Sequence, residues 1–67
     1  MITLAEQIAE AQRELALRKK RYPQWMKSGK LDAGDATYQI CVQEEIVKIL
    51  MRLDAEQRQM RLFGPEG

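Results

Sequence analysis

Apolar residues recur along this chain in two long runs of helical spacing, separated by a polar, basic stretch. In the first run Leu4, Ile8, Ala11 and Leu15 follow at steps of four, three and four. That is the spacing of one narrow face of an α-helix. Tyr22 and Met26 continue the same phase. In the second run Val42, Ile46, Ile49 and Leu53 repeat those steps, while Ala36, Ile40, Val47 and Leu50 widen the face. A two-helix hairpin does not need so wide a stripe, so the pattern predicts further helices packed on it, hence a homodimer. The predicted fold is all-α: a helical hairpin over residues 1–63 that dimerises into a four-helix bundle, with 64–67 as a disordered tail.

Punctuation supports these limits. Thr3-Leu4-Ala5-Glu6 has the form of a capping box, in which hydroxyl and carboxylate satisfy each other's backbone amides. Ser28-Gly29 reads as a helix stop, with glycine supplying the left-handed position after the last turn. Asp32 reads as the N-cap of the second helix, and Asp35 suits its positive end. Pro23 removes a helical amide and crowds the carbonyl of Lys19. The apolar phase runs unbroken through it, which favours one helix kinked at Pro23 over two separate ones. A first helix of Leu4 to about Lys27 spans about 36 Å, and a second from Ala33 to about Arg61 spans about 43 Å. The second helix therefore overhangs the first from about Gln57.

Composition narrows the possibilities. At 67 residues the chain is one small domain. Such domains usually need disulfides, a metal or a second subunit for stability. The single cysteine, Cys41, rules out an internal disulfide, and there is no histidine. Cys41 lies between Ile40 and Val42 without a histidine partner, which reads as a core-edge residue rather than a nucleophile. Glu44 and Glu45 are adjacent and so point to different helix faces. No glycine-rich phosphate loop occurs. The expectation is a non-enzymatic protein without catalytic residues, metal or cofactor. Self-association then remains as the source of added stability. Met1-Ile2 leads straight into charged, amphipathic sequence, which reads as neither a signal peptide nor a membrane span. One reduced cysteine fits a cytoplasmic location.

Net charge is +1, but its distribution is uneven. Six of the eleven basic residues fall between Arg18 and Lys30, where there is no acid. Arg18, Lys19, Lys20, Arg21, Lys27 and Lys30 could engage phosphates, with Tyr22 and Trp25 stacking on unpaired bases. The alternative is a solvated helix face that also suits the C-terminal dipole, with Tyr22 and Trp25 sealing the hairpin on Leu31 and Ala36. On the second helix, Glu44–Lys48, Arg52–Glu56 and Asp54–Arg58 are spaced for i,i+4 ion pairs.

Two resemblances add to this. Arg21-Tyr22-Pro23-x-Trp25 followed by Gly29-Lys30-Leu31 resembles the elbow of small uncharacterised helical proteins encoded by phages and prophages of proteobacteria. The likeness covers residues 10–55 and implies a viral accessory product in a bacterial cytoplasm, without an assigned activity. Gln59-Met60-Arg61-Leu62-Phe63 resembles the pentapeptide by which bacterial proteins dock on the replicative sliding clamp. That likeness implies that Gln59 hydrogen-bonds at the edge of a cleft, that Leu62 and Phe63 fill its pocket, and that Met60 takes a side site. Arg61 departs from the small or acidic residue usual at that place. The alternative is that Met60, Leu62 and Phe63 close the end of a dimeric bundle.

Overall fold

The structure is a computed structural model that describes residues 1–62. Two helices, α1 (Leu4–Lys27) and α2 (Ala33–Leu62), form an antiparallel hairpin with no strand among the described residues. Helix α1 runs without a break through Pro23, so the proline does not end it. The expected placements of Phe63 and of the 64–67 tail, and of the Leu62 side chain, lie outside the described residues.

Each helix limit has a local cause. The Thr3 amide donates to Glu6 Oε1 at 2.9 Å and the Glu6 amide donates to Thr3 Oγ1 at 3.1 Å, completing the capping box. At the other end the Lys30 amide donates to the Trp25 carbonyl at 2.9 Å and the Gly29 amide to that of Met26 at 3.2 Å. This is the Schellman pattern, in which the residue after the cap turns left-handed. Gly29 does so with φ 80°. Asp32 then caps α2, its Oδ2 accepting from the Gly34 amide at 2.9 Å and from Asp35 at 3.4 Å.

The two helices meet along a seam with alternating steps of four and three. On α1 it runs through Leu4, Ile8, Ala11, Leu15, Arg18 and Tyr22. On α2 it runs through Ala36, Ile40, Gln43, Val47, Leu50 and Asp54. Among the described residues only Tyr22, Ala36 and Val47 form the buried apolar core, with Gln43 buried beside them. The broad apolar face of α2, wider than a two-helix hairpin needs, is covered by α1 on one side only. Val47 is 9 % exposed, whereas Ile49 is 58 % exposed. Val42, Ile46 and Leu53 are likewise exposed on the open side. One partner helix covers only part of a wide apolar sector, because two cylinders touch along a single line. Met26, in phase with the α1 stripe, is exposed as well. Cys41 is also exposed rather than at the core edge.

Candidate functional site

Three surfaces carry the residues of functional interest: the elbow, the seam beside it, and the distal end of α2. At the elbow the basic residues are not equivalent. Arg18 Nε donates to Glu14 Oε2 at 3.0 Å, and its Nη1 donates to the Gln39 carbonyl at 3.1 Å. Lys19 Nζ pairs with Glu44 Oε2 at 3.3 Å. Tyr22 is buried and its hydroxyl donates to Gln39 Oε1 at 2.7 Å. Its ring lies against Trp25 with centroids 5.6 Å apart, tilted by 30°. The structure therefore commits Arg18 and Tyr22 to holding the hairpin, while Lys19 makes only an exposed ion pair across it. Tyr22 is not a free stacking platform. Lys19, Lys20, Arg21, Lys27 and Lys30 are all exposed, and Trp25 is 37 % exposed. Leu17, Arg21 and Trp25, with Glu14, Arg18 and Tyr22, line a shallow cleft of about 100 Å³.

The seam contains polar contacts that the apolar pattern did not reveal. Gln43 Nε2 donates to the Ala11 carbonyl of α1 at 2.9 Å. Burying an amide is tolerable only when it finds such a partner. No buried side-chain nitrogen or oxygen among the described residues lacks one. Ala11 opposite Gln43 has a short side chain, which leaves its own carbonyl open to the glutamine. The available signal was positional: Gln43 lies seven residues after Ala36 and four before Val47, in line with both. Gln39, accepting from both Arg18 and Tyr22, was missed for the same reason.

Ion pairs on α2 differ from simple i,i+4 spacing. Asp54 and Arg58 do pair, at 2.9 Å. Lys48 instead takes Glu45, three residues before it, at 3.2 Å, and Glu44 turns to Lys19 across the seam. On α1, Arg13 pairs with Glu10, which raises the Arg13 pKa. The Thr3 backbone amide, followed by its hydroxyl, holds the Glu6 carboxyl below its usual pKa.

At the distal end, Arg58 and Asp54 lie beside Ala5, Ile8 and Ala9 around an open groove of about 310 Å³. Helix α1 begins at Leu4, so Gln59, Met60 and the final turn extend past it. Met60 is 71 % exposed and Gln59 is exposed too. The backbone of Gln59 to Leu62 is helical.

Among the described residues no three side chains of His, Cys, Asp or Glu gather as a metal site. No helix among them is long and apolar enough to cross a membrane. Compared with protein-family models, curated proteins and solved structures, the chain matches none of them.

Proposed function

We propose that the protein is a non-enzymatic, phage-type accessory module that binds a host protein through the distal end of α2, with the bacterial sliding clamp as its partner. One observation carries this reading: α2 outruns α1 and presents Gln59 and a largely exposed Met60. A projecting segment with a few apolar anchors can supply most of the energy of a docking contact. The resemblance of residues 59–63 to a clamp-docking pentapeptide supplies the choice of partner. The helical backbone at Gln59–Leu62 adds a condition, because extended docking would require the last turn to unwind. A terminal turn with no helix alongside is the least costly place for that.

The test is titration of the chain against a purified bacterial sliding clamp, beside a Leu62→Ala/Phe63→Ala variant checked for helicity by circular dichroism. Saturable binding by the parent, lost in a variant that stays helical, is the expected result. Absence of binding by the parent reduces the pentapeptide to coincidence.

A second reading, a small nucleic-acid-binding module, is favoured by the exposure of Lys20, Arg21, Lys27 and Lys30 around Trp25. Phosphate contacts would make binding to single-stranded DNA fall steeply between low and moderate salt. Clamp docking through apolar anchors would survive the same change.

A further inference from the structure

The open side of α2 carries an apolar stripe that neither the hairpin nor the distal end uses. Val42, Ile46, Ile49 and Leu53 follow at steps of four, three and four, all exposed. At about 100° per residue their stripe is centred about 110° around the helix from Ala36, Gln43 and Val47, which face α1. We propose that this stripe seats a second copy of the chain, with the two α2 helices antiparallel.

The argument for a second copy begins with area. The chain exposes 5582 Å². A compact monomer of its mass would expose about 4,400 Å². The excess, roughly 1,200 Å², is the surface that an elongated hairpin with a single packed layer leaves uncovered, part of which a second copy would bury. Among the described residues the hairpin has one layer contact and three buried apolar residues, and its lone cysteine rules out a stabilising internal disulfide. A second layer is what a single-layer hairpin lacks.

Charge fixes the direction. In an antiparallel pair whose two-fold axis is level with the Val47–Lys48 peptide, Ile46 lies opposite Ile49 of the second copy. Val42 then lies opposite Leu53 of the second copy. Glu45 and Arg52 flank this stripe on the same edge, seven residues apart. The same symmetry places Glu45 beside Arg52 of the second copy, and Arg52 beside Glu45 of the second copy. Flanking charges of this kind set orientation in helical pairs. A parallel pairing would instead set Glu45 beside Leu50 and Arg52 beside Gln57, with no attraction. Glu45 is exposed, its present partner Lys48 is a surface residue on the same helix, and Arg52 is exposed. Both are therefore available to an incoming chain.

Sedimentation equilibrium of the full chain over a wide concentration range tests this, with circular dichroism on each variant. The parent is expected to show a dimer that dissociates on dilution. Ile46→Lys/Ile49→Lys is expected to be monomeric with helicity kept, since both positions are exposed in the single chain. Glu45→Arg and Arg52→Glu are each expected to weaken the dimer about tenfold, because two attractions become two repulsions. The double charge swap is expected to restore it, a readout that does not depend on the fold surviving a core change. A monomeric parent overturns the proposal and leaves the stripe to a foreign helix. A dimer indifferent to the lysine substitutions overturns the choice of face. Single swaps that weaken the dimer without rescue by the double swap overturn the antiparallel register.

Discussion

The two sides of α2 use different chemistry. The side against α1 is built from a small residue, a medium one and an amide: Ala36, Val47 and Gln43 are its buried members. Polar contacts to α1 run along it, from Gln43 to the Ala11 carbonyl and from Arg18 and Tyr22 to Gln39. The open side holds Val42, Ile46, Ile49 and Leu53, a larger and uninterrupted apolar set. Hydrophobicity alone did not decide which side α1 covers. Small side chains let two backbones approach, and specific hydrogen bonds across the seam select one register among several of similar apolar content. The bulkier stripe is then left exposed.

The largest test of this contrast sets one aspartate against another. Val47→Asp buries a charge without a partner and is expected to cost about 3 kcal/mol or more. For a hairpin this small that removes most of the helical circular dichroism signal. Ile49→Asp, on the open side, is expected to keep the helicity of the dilute monomer and to lower only its tendency to associate. Equal loss of helicity in both variants would erase the distinction between the two sides.

Smaller effects sharpen the contrast. Gln43→Ala removes both the amide donor and its packing, and is expected to destabilise the chain by about 1–2 kcal/mol in urea unfolding. Tyr22→Phe removes only the hydroxyl that donates to Gln39 and is expected to cost about 1 kcal/mol in the same assay. An unchanged midpoint in both variants would mean that the polar seam contributes nothing to the hairpin.

The smallest effect lies away from both sides. Glu6 is held below its usual pKa by the Thr3 amide and hydroxyl, so the folded chain favours its ionised form. The stabilisation is present above the unfolded glutamate value of about 4.3 and is lost as pH falls through the lowered folded value. Amide hydrogen exchange is expected to show faster opening of the first turn of α1 under acid, absent in Glu6→Gln. Faster exchange across the middle of α2 over the same pH range would place the sensitive group elsewhere.

The sequence by itself determined the two helices and the limits of α1 and the start of α2. Thr3 and Glu6, Ser28 and Gly29, and Asp32 act within a few residues of themselves, so local rules suffice to read them. The apolar phase shared by Leu15 and Tyr22 carried the reading of one helix through Pro23. The width of the α2 apolar face showed that one helix could not cover it. Which half α1 would cover was not legible, because steps of four, three and four describe both Val42–Ile46–Ile49–Leu53 and the seam from Ala36 to Asp54. Choosing between them depends on whether Gln43 reaches the Ala11 carbonyl and Tyr22 reaches Gln39, contacts between residues 32 and 17 positions apart. The same holds at the elbow, where six basic residues look alike in the chain. Only the fold assigns Arg18 and Lys19 to α2 while Lys20 and Arg21 face solvent. Periodicity records which residues share a face of their own helix. The tertiary structure alone decides what that face meets, since this depends on the shape and hydrogen-bonding capacity of a partner distant in sequence.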